Sequence, residues 1–521
     1  MKKYLPPALA ALFLAFVLGV YFMTLAPDLV WDPPETGTLL ASAQSSEFFR
    51  FSPSPFYFLL AQGWKRIPWG TLALRGNFFS MGLALLSVGL VYFLILRLGR
   101  DFRFALFGGL IMALSPLFWP FVRFANFYTL LLFLSFLYFS LLLLDGEGRL
   151  PFVISLLFGL AVSTAPAAIV LALPLALYLW VRRHCLRVKG FGLALLGIFL
   201  GLFPAFGAWF FFGLPLGKIF FSLSPLSPFW SSSWQNLLSF AELFFFKVPW
   251  PLYSLAFIGA LWGVGGRERA FLFLGFLSFL VLLGIYPLPE YLGVFIFPIS
   301  IFVIWAALGA KVVWELIYTL SNTEIGAAFE TRLFVLVFRL KRKVAILRYL
   351  LLGLFFIFLA FLPFKEFRES FAALDYFDNS ALEYGSKAQE KFSSRPSKSL
   401  VLAQEGKFLS SLRYFSSLDP KKKVIVTTTS LVVDPGEYFR LRKFYPELWL
   451  PSSVGEGKSE SWALEALEVF IDKNLGNFEI FLTLNHPSQG RGVVYGKWGE
   501  YTLVAEEPLY RGKPHPQPAL W

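Results

Sequence analysis

"LALRGNFFSMGLALLSVGLVYFLILRLGRDFR", Leu72 to Arg103, sets a polar pair near one end of a long apolar run and a block of charge at the other. Residues 73–97 form a stretch long enough to cross a bilayer, whose hydrocarbon core of about 30 Å takes about 20 apolar residues in a helix. Arg75 and Asn77 mark one interface of that span, and "RLGRDFR" marks the other. The same ruler along the chain gives about eleven spans, near 5–26, 73–97, 103–119, 124–144, 151–165, 167–181, 191–212, 246–264, 270–286, 290–310 and 348–363.

Composition agrees with that reading. Of 521 residues, 57% are hydrophobic and only 15% charged, far too apolar for a water-soluble globular chain. The net charge of +13 reads as topology rather than as a nucleic-acid footprint, because the basic residues fall in blocks between apolar runs: Lys2 and Lys3, "RLGRDFR", "RRHCLRVK", "GGRER" and "RLKRKVAILR". Two lysines ahead of an apolar run resemble a signal peptide, but no small-residue cleavage site follows "FVLGVYFMTLAPD", so a retained first span is expected. A single cysteine, Cys185, excludes an intrachain disulfide.

Residues 151–181 read either as two short spans around Pro166 or as one kinked span. Two spans put every basic block on one side, which the positive-inside rule makes the cytoplasm. The expected location is therefore the cytoplasmic membrane, with a cytoplasmic N-terminus and four features on the other side. These are a first outer loop, 27–72, the short turn around Phe121, the loop from Gly213 to Phe245, and everything from 364 to 521. Residues 311–347 alternate apolar and charged positions at helical spacing, which predicts a cytoplasmic amphipathic stretch lying on the surface. The fold class expected is thus a mainly α polytopic membrane domain over 1–363, followed by an extracytoplasmic α/β domain over 364–521. In the latter, "SLVLAQ", "KVIVTTTSLVV", "FEIFLTLN", "GVVYG" and "YTLVAE" read as strands; "GKFLSSLRYFSSL", "PGEYFRLRKFYPEL" and "ESWALEALEVFIDKNL" read as helices. No Gly-rich phosphate loop and no metal-spaced Cys or His pair occurs there, and His486 and His515 stand alone.

Chemistry is best sought beside the first span. "VWDPPETG" sets Asp32 and Glu35 at the spacing of a helix capping box, ahead of the helix-prone "TGTLLASAQSSEFF". Pro34 cannot donate to the cap, and Pro33 is biased away from helix, so an imperfect cap would leave Asp32 partly free. Arg75 at an interface either grips a lipid phosphate or snorkels to the headgroups. "FWPFVRFANFYTL" puts Arg123, Asn126 and Tyr128 at the start of a span, where polar groups face a cavity or a neighbouring helix. Glu290 in "YPLPEYLG" is a third acid at the same surface.

These residues resemble a family. "YFMTLAPDLVWDPPETG", "SPFYFLLAQGWKRIPWGTLALRGNFFS", "FWPFVRFANFYTL", "YPLPEYLGVFIFPISIFVIWAALGAK" and the segment starting "SLVLAQEGKFLSSLRYF" match, in order, the multi-pass proteins associated with protein O-mannosyltransferase activity, within the GT-C superfamily of glycosyltransferases. The resemblance implies a sugar, mannose in that family, carried on polyprenyl phosphate at the membrane, with a protein or glycan acceptor outside and an inverting mechanism. It makes Asp32 the base and Glu35 the second acid, and gives Arg75 with Asn77 to the phosphate. Pro33 and Pro34 replace the family's Ser-Gly, Arg50 stands where it has histidine, and Asn126 where it has glutamate. The residues themselves argue no cofactor; a single divalent cation on Asp32 and Glu35 with the donor phosphate is compatible with hard-cation chemistry. Two other functions fit the same architecture. One is a catalytically silent relative that binds lipid-linked glycan or scaffolds an envelope complex; the other is a transporter or flippase, against which stands the lack of a repeated half.

Overall fold

The computed structural model describes residues 5–26, 54–115, 117–145, 148–212, 250–285, 296–322, 354, 357, 361–365, 368, 386–390, 392, 398–403, 407–418, 424–428, 431, 435–451, 460–475, 477–482, 497–498, 501–506 and 509–514. The first part is helical: α1 (Leu5–Met23), α2 (Pro55–Lys65), α3 (Leu72–Gly99), α4 (Phe102–Leu114), α5 (Trp119–Val122), α6 (Tyr128–Leu144), α7 (Pro151–Thr164), a 3-10 turn (Pro166–Leu171), α8 (Ala172–Val181), α9 (Arg183–Phe212), α10 (Trp250–Trp262), α11 (Gly266–Ile285) and α12 (Ile296–Asn322). Among the described residues, three helices are both long and apolar enough to cross a membrane, at Leu72–Gly99, Val188–Gly207 and Ile296–Leu316; six shorter apolar helices accompany them. The chain is a membrane protein, though fewer helices meet the full length than the eleven expected.

The opening stretch forms α3 because nothing interrupts its apolar run and both ends are capped. Thr71 Oγ1 accepts from the Leu74 N–H at the start, and the Arg100 N–H donates to Leu96 O at the close, with Arg100 in the left-handed region. Asp101 then caps α4 by accepting from the Arg103 N–H. Burial pushes the Asp101 carboxyl up, but the Arg103 side chain and backbone and the nearby Lys311 outweigh it and hold the carboxyl below its ordinary range.

Helix pairs close through glycine. A Cβ at Gly159 of α7 would lie 2.8 Å from the Gly201 Cα of α9, so only glycine lets these backbones meet; Ser163 Oγ then donates to Gly201 O at 2.8 Å. Gly259 of α10 and Gly309 of α12 meet in the same way. The core runs through Tyr21, Trp119, Tyr138 and Ile304, all fully buried.

Three readings are sharpened. Residues 151–181 are a hairpin, the split that the charge pattern supported over one kinked span. Ala165 is extended, ending α7, and Tyr178 near the end of α8 returns to donate to Asp145 Oδ2 at 2.5 Å, while Asp145 also accepts from the N–H groups of Arg149 and Leu150 where α7 begins. The first part of the expected amphipathic stretch 311–347 is helix continuous with the preceding span, because α12 runs on to Asn322. No Pro or Gly breaks "AKVVWELIYTLSN", and Lys311 pairs with Glu315 one turn on at 3.2 Å; residues 323–347 lie outside the described residues. The block "RRHCLRVK" is helical from Arg183 onward rather than a loop preceding residue 191, and "GGRER" likewise enters α11.

Beyond residue 398 the chain is α/β, with β1 (Ser399–Ala403), α13 (Lys407–Leu418), β2 (Val424–Thr428), α14 (Pro435–Phe444), α15 (Glu460–Asn474), β3 (Glu479–Leu482), β4 (Lys497–Trp498), β5 (Tyr501–Glu506) and β6 (Leu509–Pro514). The sheet order is β2-β1-β3-β6-β5-β4, with β2, β1 and β3 parallel and the rest antiparallel. The predicted strand at "GVVYG" lies outside the described residues; β6 was not anticipated. Tyr414 and Phe415 of α13 pack against the helical core.

The Asp101 environment gives a pH test. Its folded-state pKa is depressed, so its stabilisation is present above the ordinary aspartate range near 4 and is lost as pH falls through the lower folded value. Asp101→Asn keeps the cap but loses the charge. The thermal midpoint of the variant should lie below wild type at pH 7, and the gap should close as pH is lowered towards 3.

Candidate functional site

The described residues of the first helix and its exit end at Ala26, just ahead of the acid-bearing segment in sequence, and Ala26 is held from two sides. Its N–H donates to Arg123 O at 3.1 Å, and its carbonyl accepts from Asn77 Nδ2 at 2.9 Å. Asn77 Oδ1 in turn accepts from the Ala125 N–H at 2.7 Å, so a single fully buried amide joins the end of α1, the start of α3 and the chain between α5 and α6. Thr24, two residues earlier, adds three ties. Its hydroxyl donates back to Val20 O and accepts from Trp119 Nε1 at 2.9 Å, and its carbonyl accepts from Arg123 Nε at 3.0 Å. The far side of the segment is fixed at Ser54, which is fully buried and caps α2 by accepting from the Tyr57 N–H. Both anchors of the residues between 27 and 53 are therefore set in the core.

Asn126 forms the second node. Its amide donates to Phe121 O and Phe124 O, its Oδ1 accepts from the Thr129 N–H, and its own N–H donates to Ser80 Oγ at 3.1 Å. Both hydrogens of that amide are spent on backbone, so Asn126 shapes the turn. Tyr128 is buried with its ring edge-on to Phe121 at 5.6 Å.

Arg75 does not reach into open space. Its Nε donates to Thr71 O, and its Nη1 donates to the carbonyls of Trp64, Lys65 and Ile67, closing the C-terminal end of α2. A cation at a helix C-terminus satisfies orphan carbonyls and complements the dipole. Only Nη2, with its two N–H donors, keeps hydrogen-bonding capacity, so a phosphate would meet that one nitrogen rather than a two-nitrogen fork.

The structure thus brings Asn77, Arg123 and Asn126 together with Thr24 and Ala26, and sets Arg75 beside them on α3. Asp32, Glu35, Arg50 and Glu290 lie outside the described residues. Among the described residues no group of three His, Cys, Asp or Glu side chains converges on a metal position. Two features escape sequence reading. One is α2 itself, whose Ser54-Pro55 start carries a cap and a first-turn proline. The other is its inner face, where the buried Trp64 Nε1 and Tyr57 hydroxyl make no hydrogen bond; the tyrosine lies near Ser80, whose Oγ is already committed to Asn126.

No family model matches the chain, and no curated protein matches it. Solved structures do. ArnT from Cupriavidus metallidurans bound to undecaprenyl phosphate superposes with a TM-score of 0.50 at 14% identity, covering 84% of this chain and 95% of that one. The apo state of the same protein gives a TM-score of 0.50 at 15% identity, with the same coverage. The likeness shows the fold: over most of its length this chain shares the architecture of that protein.

Replacing Asn77 tests the node directly. Asn77→Ala leaves Ala26 O and the Ala125 N–H buried without partners, each a loss of about 1–3 kcal/mol. The thermal midpoint of the purified protein should fall markedly, whereas Arg75→Gln, nearer the surface, should lower it much less.

Proposed function

We propose that the chain is a membrane glycosyltransferase that moves a sugar from a polyprenyl-phosphate donor to an acceptor beyond the cytoplasmic membrane. The observation that carries this reading is the fold shared with a protein crystallised with undecaprenyl phosphate. The same fold class fits the resemblance read from the sequence, which adds mannose as the first sugar to test and a protein or glycan as acceptor. The basic blocks around Arg100 and Arg267 lie at the end of the helices opposite Asn77, which supports placing the Asn77 end outside, where the charge pattern of the sequence also puts the α/β domain of 364–521.

In this reading Asp32 takes the proton from the acceptor hydroxyl. The oxygen attacks the anomeric carbon, the bond from that carbon to the phosphate oxygen breaks, and its electron pair leaves with polyprenyl phosphate, inverting the configuration. Glu35 orients the acceptor or the base. Arg75 Nη2 and the open donors on Trp64 and Tyr57 are the groups left to meet charge and hydroxyls near the segment that follows Ala26. A divalent cation held there would draw on Asp32, Glu35 and the donor phosphate, and would neutralise charge on the leaving group.

One observation favours a second reading. Arg75 spends most of its donors on α2, which suits a chain that keeps the fold to bind lipid-linked glycan without turnover.

Asp32→Asn separates the two. Membranes carrying the variant, supplied with radiolabelled polyprenyl-phosphate sugar, should lose transfer by at least about 100-fold, the usual scale of general-base removal, while donor binding persists. Full transfer by Asp32→Asn would remove Asp32 as base, and no transfer by wild type with donor still bound would favour the silent reading.

A further inference from the structure

The end of the helical domain opposite Asn77 carries a charge arrangement that the transfer reaction does not use. With 28 residues, α3 is roughly 42 Å long, which sets Arg97 and Arg100 far from Arg75. Three pieces of chain meet there: the α3–α4 turn, the α10–α11 turn and the middle of α12. A Cβ on Gly99 would lie 3.2 Å from Leu308 and 3.6 Å from Lys311, and one on Gly263 would lie 2.8 Å from Leu308. Each acid at this junction already has a cation. Asp101 pairs with Arg103 at 2.7 Å, Glu268 with Arg267 at 3.3 Å, and Glu315 with Lys311 at 3.2 Å. Arg97 and Arg100 are exposed, and among the described residues their side chains have neither an ion pair nor a hydrogen bond.

Two further observations say what these arginines face. Leu86 and Phe93 are 54% and 40% exposed on α3, and Arg97 and Arg100 follow Phe93 by four and seven residues, on the same face of the helix. A lipid-facing apolar stripe therefore ends in two unpaired guanidinium groups, at the depth where headgroups begin. Second, Arg100 has φ 54°, the one positive φ at a non-glycine among the described residues. Glycine adopts that conformation without strain and would make the same cap. A side chain kept at a position suited to glycine points to a use for the side chain.

We propose that Arg97 and Arg100 form a binding site for the phosphate headgroup of an anionic bilayer lipid, with the acyl chains lying along Leu86 and Phe93. Arginine suits this ligand because its planar fork matches phosphate oxygens. The site is independent of the transferase reading, since it lies at the other end of the helices.

The test is native mass spectrometry of the full-length protein, titrated with phosphatidylglycerol or phosphatidylcholine, with thermal midpoints measured in parallel. Wild type should retain phosphatidylglycerol over phosphatidylcholine. Arg97→Gln should weaken that preference about five-fold, and Arg97→Gln with Arg100→Gly about 25-fold, from the usual attraction of a basic side chain near a membrane surface. Arg100→Gly alone should lose lipid while holding or raising the thermal midpoint in phosphatidylcholine, a combination that mere unfolding does not give. Unchanged phosphatidylglycerol retention in Arg97→Gln would overturn the proposal, and that single variant decides if the double one fails to fold. Displacement of the lipid by millimolar inorganic phosphate would also overturn it, by identifying a soluble-anion site.

Discussion

At Ala26 the chain has left a helix inside a bundle that offers it no water. A backbone carbonyl and N–H in that position must find partners within the protein, or cost several kcal/mol. Asn77 and Arg123 supply them, and much else follows from that obligation. Asn77 is fixed by α3, so the entry to the acid-bearing segment inherits the position of the longest early span. Because the oxygen of the same amide accepts from the Ala125 N–H, the turn before α6 is tied to it too. The polar residues around this point form a brace, and the segment after it starts from a defined place.

The brace explains why the sequence was informative about place but not about role. Polar residues at the mouth of an apolar run are expensive, so Arg75, Asn77, Arg123 and Asn126 stood out as a group, and the structure does gather three of them around one junction. Sequence cannot distinguish a side chain facing a ligand from one facing backbone, because both are polar groups near a membrane interface. The partners that decide the matter are backbone atoms 46 to 51 residues away, as for Ser80 with Asn126 and Asn77 with Ala26, and backbone carries no residue identity to read. Helix positions were legible from apolar length. Helix ends were less so: α12 overran its expected limit because charge near an interface looks the same whether the helix stops or continues. The reversal at Pro166 was legible only as one of two options, since proline is compatible with a kink and with a turn; the hydrogen bond between Tyr178 and Asp145 decides it.

The α/β part illustrates the same limit in water. Its strands and helices follow composition closely, but pairing β3 with β6, which joins the parallel and antiparallel halves of the sheet, depends on segments about 30 residues apart in sequence. The unpredicted strand β6 lies inside the sheet, paired with both β3 and β5, a position that local pattern alone does not specify.

The hairpin at Pro166 has one further effect. Its first arm, α7, has 14 residues and rises only about 21 Å, some 9 Å short of the hydrocarbon thickness of a typical bilayer. An arm of that length does not cross the bilayer by itself. The helix α2 packs against both α7 and α9, so protein rather than lipid covers part of the short arm.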